Sequence, residues 1–239
     1  MEPRVSMKWK SNWWPAPVTL ITVGADKPGF RKPNIWAVGV LGGPADDPPI
    51  LTISPRKIMY SYKLMQEVPQ FVVNFPTPEM LRQMEFVGTH SGIEADKWKN
   101  CGFTPIPGKV VDVPLIAECP VNIECVIDRE IELTKEDGTD SDFVLVVGRI
   151  VQVHAHERCV VNGTIQWDLV DTIIRSRPMT WRTVGPVIGY DARKDPLPKP
   201  EEAAEIVNSR VKGYEKLADI IRATPTQTQV RTDPGYKKD

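Results

Sequence analysis

Residues 50–63 read ILTISPRKIMYSYK, and the hydrophobic period changes in the middle of them. Ile50 to Ser54 are β-branched and apolar, the composition of a strand. Pro55 stops that strand. Beyond it Ile58, Tyr62 and Met65 stand four and three apart, the spacing of one face of a short helix within 56–68, which Pro69 ends. A strand-to-helix turn presents free backbone N–H groups and the positive end of a helix dipole, a ready anion site. Arg56 adds a planar fork of donors matched to phosphate oxygens, and Tyr60 and Ser61 offer hydroxyls one turn on. A solvated helix start with a surface arginine is the alternative that these local features leave open.

Upstream of this turn, PVTLITVGA (17–25) reads as a strand and ADKPGFRKP (25–33) as a turn. NIWAVGVLGG (34–43) reads as a second strand interrupted at Gly39, and GPADDPP (43–49) as a loop. Downstream, QFVVNF (70–75) is a further strand. Thr77 and Pro78 make an N-cap followed by proline at the first helical position. Met80, Leu81, Met84 and Val87 then form one apolar stripe, with Gly88 as its stop. Ser91 is expected to cap a third helix through Asp96 and Trp98, ended near Gly102, and 105–114 reads as irregular. In VNIECVID (121–128), Val121, Ile123, Cys125 and Ile127 alternate with Asn122, Glu124, Val126 and Asp128, so a half-buried strand is expected. EDGTD (136–140) is a hairpin signal, because Asp-Gly suits a tight turn with positive φ. DFVLVVGRIVQVHA (142–155) reads as a long strand bulged or bent at Gly148. Asn162–Gly163 marks another turn.

Past Tyr190 the texture changes. DARKDPLPKP (191–200) is a proline-rich spacer, and 201–223 places Ile206, Val207, Val211, Tyr214, Leu217 and Ile221 on one helical side, followed by a tail of disordered composition. The expected organisation is one mainly β domain over 1–190, a barrel or sandwich of six or seven strands with short helices, and a C-terminal helical extension over 191–239.

The chain has 239 residues with 30 basic and 31 acidic side chains, a net charge of -1. That balance argues against a nucleic-acid binder working by bulk charge and against a polybasic membrane anchor. No apolar run approaches the roughly 20 residues of a membrane span, and the first residues lack the apolar core of a secretory signal, so a cytoplasmic protein is expected. The four cysteines form no C-x-x-C pair and the three histidines are scattered, so no metal centre is expected.

Two further stretches carry chemistry. In VGTHSGIEADKW (87–98), Gly88 and Gly92 flank Thr89, His90 and Ser91, polar groups able to cradle an anion or a polar ring edge; a plain connection between helices is the competing reading. In PNIWAVGV (33–40), the small Ala37 and Gly39 leave room for a flat ligand against the strand, with Asn34 and Trp36 as amide and aromatic wall; a plain core strand competes. Taken together with Arg56, the three stretches describe a flat polar ring, a chain of hydroxyls and a phosphate, which is FMN.

The order PAPVTLITVG, KPNIWAVGV, DPPILTISPRKIMYSYKLM, FVVNFPT and VGTHSGIEADKWKNCGFTPIP resembles the flavin reductase-like family, and within it the flavoredoxin-type proteins, over roughly residues 15–190. The resemblance implies a Greek-key split β-barrel, a homodimer and FMN at the subunit interface. It places Asn34, Ala37, Val38, Gly39 and Val40 along the isoalloxazine ring. Thr52, Ile53, Ser54 and Pro55 follow its pyrimidine side and the ribityl chain. Arg56, Tyr60 and Ser61 hold the phosphate, and Thr89, His90 and Ser91 close the site. The cofactor carries the redox chemistry, so no catalytic side chain is named; backbone N–H groups in 37–40 and 52–54 are the candidate stabilisers of a reduced ring. His154 and His156, two apart on a strand, are either surface histidines or contacts to a nicotinamide nucleotide. Trp167 and Trp181 are pocket walls or core. Three functions compete: a flavin reductase using NADH or NADPH, an FMN electron carrier reduced by a protein partner, and a binding protein of the same fold that has lost FMN.

Overall fold

Strands whose two faces are both covered read as unbroken apolar runs, and two such runs form the spine of this structure. The computed structural model describes residues 14–39, 41–176 and 180–184, with Arg4 and Ser6. Val40 and the expected extension over 191–239 lie outside the described residues. The chain opens with β1 (Ala16–Pro17), β2 (Thr19–Val23), β3 (Asn34–Val38), β4 (Gly42–Asp46) and β5 (Pro49–Ile53). After α1 (Tyr60–Glu67) come β6 (Gln70–Phe75), a 3-10 turn over Pro78–Met80, α2 (Leu81–Thr89) and α3 (Lys97–Cys101). A two-residue ladder of β7 (Pro105–Ile106) and β8 (Leu115–Ile116) precedes the long hairpin of β9 (Val121–Thr134) and β10 (Asp140–Ala155). The chain closes with β11 (Val160–Val161), β12 (Thr164–Ile165), α4 (Trp167–Val170), β13 (Ile173–Ser176) and β14 (Thr180–Thr183).

Seven strands make one antiparallel sheet in the order β3-β2-β6-β9-β10-β5-β4. The sheet curls into a split barrel. Inside it, Ile21 and Val23 of β2 and Phe71, Val73 and Phe75 of β6 pack with Leu64 and Met65 of α1. On the opposite faces of the same strands, Leu20 meets Met80, Met84 and Val87 around α2, and Val72 meets Val111, Val113 and Leu115. The period-2 alternation therefore sorts residues between two hydrophobic layers, not between core and water.

That double covering corrects the reading of 121–128. Asn122 is 5 % exposed and Glu124 0 %, so the polar positions of β9 face a second layer. The stretch 43–49 is a strand for its first part: β4 forms the sheet edge beside β5, where Pro44 is tolerated because an edge strand has N–H groups to spare. The helix expected to follow Arg56 at once begins four residues later, at Tyr60, after an extended Met59. Gly88 does not stop α2, which runs to Thr89. Asp96, not Ser91, caps α3 by accepting from the Lys99 amide at 3.1 Å. The Asp137–Gly138 hairpin and the Asn162–Gly163 turn form as the sequence indicates.

The β9–β10 register shifts between Val147 and Gly148. A Cβ at Gly148 would lie 2.3 Å from Cζ of Phe71, a ring that is fully buried. Gly148→Ala is therefore expected to cost about 1–3 kcal/mol, read as a lowered midpoint in thermal unfolding; an unchanged midpoint would show that the ring has room to move.

Candidate functional site

The strand order puts β3 and β4 at opposite edges of the sheet, yet residues of both meet around one cavity of about 520 Å³. Trp36, Ala37, Val38 and Gly39 come from β3 and its end, Gly42 from β4. Thr52, Ile53, Ser54 and Arg56 come from β5 and the turn after it. Met59, Phe143 and Leu145 complete the apolar side, with Trp14 and Arg175 at its margin. The size lies in the ~300–1,000 Å³ range of small-molecule sites.

Ser54 and Arg56 of this cavity sit at the strand-to-helix turn. Ser54 donates through Oγ to the Val144 carbonyl at 3.1 Å, and the Pro55 carbonyl accepts from the Val144 amide at 3.2 Å. Arg56 bridges to Phe143 in the β ladder, holds its guanidinium 6.0 Å from the Phe143 ring centroid and pairs through Nη2 with Asp142 at 3.2 Å. Lys57 pairs with Glu132, whose carboxylate hydrogen bond raises the Lys57 pKa.

Not all the sequence-indicated residues enter this cavity. Asn34 and Tyr60 line a neighbouring one of about 440 Å³, together with Gly92 to Trp98 and Pro33. The two cavities are one step apart on two elements: Trp36 against Asn34 on β3, Met59 against Tyr60 at the head of α1. Ser61 is buried and its Oγ accepts from Asn34 Nδ2 at 3.0 Å. Gly92 comes close to the same amide, since a Cβ there would fall 2.3 Å from Asn34 Oδ1. Thr89, His90 and Ser91 line neither cavity. Thr89 Oγ1 donates to the Glu85 carbonyl at 2.8 Å, His90 stacks on Phe86 with centroids 4.0 Å apart, and Ser91 Oγ accepts from the Ile93 amide at 3.3 Å.

The remaining sequence candidates are spent on packing. His154 pairs with buried Glu124, and His156 Nε2 lies 3.2 Å from the Ala117 carbonyl. Trp167 meets Phe75 edge-on at 4.9 Å, while Trp181 Nε1 donates to Glu85 at 2.6 Å. The four cysteines are buried free thiols. Among the described residues no cluster of three His, Cys, Asp or Glu side chains forms, and no helix is long and apolar enough to cross a membrane.

One residue on the smaller cavity carried no separate signal in the sequence reading. Lys97 is 5 % exposed, and its Nζ donates to the Ile35 and Val87 carbonyls, both at 2.9 Å. Burial lowers its pKa to about 8. Its lysine-tryptophan neighbourhood in the sequence gives no periodic hint that the ammonium points inward. Phe143 and Leu145 reach the larger cavity only through the roll of the sheet, and Arg175 reaches it from β13 of the separate β1-β13-β14 sheet, so neither these residues nor Trp14 could be read from a local motif.

The flavin reductase like domain profile matches residues 11–167. An uncharacterized protein of Archaeoglobus fulgidus is 32% identical over 125 residues, 52% of this chain and 67% of that one. The chain spans between about half and two thirds of the length of the first curated relatives it matches. Among solved structures, the flavoredoxin of Desulfovibrio vulgaris (Miyazaki F) superposes with a TM-score of 0.70 at 26% identity, over 81% of this chain and 99% of its own. Flavoredoxin from Methanosarcina acetivorans gives 0.68 at 26% identity, over 80% and 97%. With the profile covering most of the rolled sheet, the chain belongs to the flavin reductase-like family.

Proposed function

We propose that the protein binds FMN in the larger cavity and works as an oxidoreductase that draws hydride from NADH or NADPH. The observation that carries this reading is the donor set of that one cavity. Flat apolar side chains, strand-edge backbone, two hydroxyls and two guanidiniums converge there from elements far apart in sequence. These residues fit FMN: its ring asks for apolar walls and backbone partners, its ribityl chain for hydroxyls, its phosphate for a cation.

FMN, when bound, supplies the hydride acceptance and the release of electrons singly or in pairs. Trp36, Val38 and Ile53 would exclude water from the ring. Backbone N–H groups of 37–39 and 52–54 would place fixed dipoles at its polar edge. Thr52 and Ser54 would orient the ribityl chain, with Pro55 setting the turn. Arg56 would hold the phosphate, and Asn34 and Tyr60, one step along the same elements, would extend the contact surface. A homodimer with the flavin near its interface belongs to this reading, supported by Ile58 and Phe143, 73% and 45% exposed beside the turn.

A second reading, an FMN electron carrier reduced by a protein partner, draws on the likeness to the two flavoredoxins. Both share the site. The experiment is gel filtration of the protein with FMN, followed by steady-state oxidation of NADH and of NADPH. Co-eluting flavin absorption with turnover above background is expected. Retained flavin with background turnover for both donors would favour the carrier; no binding at saturating FMN would overturn the flavin site.

A further inference from the structure

We infer that Asp142 competes with the flavin phosphate for Arg56, so that FMN is held less tightly than the unpaired guanidinium would hold it. The inference rests on the reading of the larger cavity as an FMN site with Arg56 at its phosphate end.

The turn after β5 is basic in sequence, Arg56 followed by Lys57. In the fold it is electrically balanced. The β9–β10 hairpin brings a carboxylate to each cation: Asp142 to Arg56 and Glu132 to Lys57. Backbone contacts fix this arrangement from both sides, the Lys57 amide donating to the Asp142 carbonyl at 2.8 Å and the Val144 amide to the Pro55 carbonyl at 3.2 Å. Asp142 is thus tethered beside the guanidinium by its own main chain, and a short side chain has little reach to retreat.

The Arg56–Asp142 contact is a single one at 3.2 Å, with 50% and 65% of the two side chains exposed. It leaves donors of the five-donor fork for an incoming anion. A phosphate monoester carrying close to two negative charges at neutral pH must therefore share the fork with a carboxylate or displace it. A like charge beside the anion lowers affinity for the phosphorylated flavin and leaves the neutral ring and ribityl chain untouched. Exposed pairs of this kind are worth about 1 kcal/mol or less, so the penalty is about three- to fivefold in affinity.

The test is fluorescence titration of the full chain with FMN and with riboflavin, the same flavin without its phosphate, on wild type, Asp142→Asn, Glu132→Gln and Arg56→Ala. Asp142→Asn keeps the backbone tether and is expected to lower the FMN Kd about three- to fivefold at low salt, with riboflavin unchanged and the gain shrinking as salt screens it. Glu132→Gln is expected to act in the same direction with a smaller effect. An FMN Kd that is unchanged or raised in Asp142→Asn, while Arg56→Ala still weakens FMN selectively, overturns the competition and leaves the site standing. Equal changes for both flavins overturn it as well. If Arg56→Ala does not distinguish FMN from riboflavin, the phosphate assignment itself falls.

Discussion

Arg56→Ala is expected to weaken FMN binding by about 10- to 150-fold, the loss of a charge-assisted phosphate contact of about 1.5–3 kcal/mol. The upper half of that range is favoured. The variant removes the guanidinium of the turn and leaves its Asp142 partner without a counter-charge beside the phosphate. Riboflavin affinity should stay within about twofold, because none of the neutral contacts depends on the guanidinium. Arg56→Lys keeps the charge without the planar fork and should fall between wild type and alanine. Stability is not expected to change much, since Arg56 is half exposed and its pair is a surface one. Fluorescence titration reads the affinities and thermal unfolding reads the control. An FMN Kd equal to that of wild type would remove Arg56 as the anchor.

The second large effect is on stability. Glu124 lies in β9 with no exposed surface. Its carboxylate accepts from the amides of Lys109, Val110 and Val111 at 2.9, 2.8 and 2.8 Å and pairs with His154. It is the clamp that holds the 105–114 segment onto the outer layer of the sheet. Glu124→Ala leaves three amides and an imidazole without their acceptor, and a loss of about 3–5 kcal/mol is expected. For a protein of this size that is a fall on the order of 10 °C in Tm. Glu124→Gln retains one acceptor oxygen and should lose less.

The same group sets an acid limit. Burial pushes the Glu124 pKa up, but the His154 contact and the three amides outweigh it and hold the group below its ordinary 4.5. A carboxyl depressed in the folded state adds stability that is fully present above its unfolded pKa. That stability is lost as pH falls through the folded value. Stability of the wild type is therefore expected to drop below about pH 4.5, and Glu124→Gln should flatten that part of the curve. Urea unfolding at stepped pH measures it; parallel curves for the two proteins would contradict the assignment.

Much of the fold was legible because local and global preferences agree. The runs 17–25 and 70–75 are apolar and β-branched, the Asp137–Gly138 turn has the residues its φ requires, and Gly148 marks the bulge. The misreading of 121–128 comes from a second layer that the sequence pattern does not announce. Glu124 reads as a solvent-facing position because a strand with polar residues at every second place is usually wet on that side, and the amides that satisfy it come from a segment without periodicity. Pro44 and Asp46 read as loop residues because their propensities are poor, and only the position of β4 at an edge makes them acceptable. Of the residues lining the larger cavity, Thr52, Ile53, Ser54, Arg56 and Ala37 to Gly39 were legible because each lies on a short local motif. Phe143 and Leu145 were not, since their proximity is created by strand pairing across about a hundred residues, and Arg175 comes from β13 in a separate sheet. Ser61 reads as a phosphate donor from helical spacing, but its hydroxyl is turned inward onto Asn34.

The strand order has a kinetic consequence. β3 and β5, which face each other across the larger cavity, are made early in synthesis and only a short connection separates them. β3 is one edge of the sheet and β5 lies next to the other, and the strands that bridge them include β9 and β10, about seventy residues or more further on. The two walls therefore cannot be held in place until the hairpin has been synthesised and has zipped onto β6 on one side and β5 on the other. Long-range pairing of this kind pays its loop-closure entropy before it is rewarded, which places folding on the millisecond-to-second scale of high-contact-order domains. Ligand-binding competence should be the last property to appear on the ribosome, and nascent chains that stop short of Ala155 should capture no flavin however long they wait.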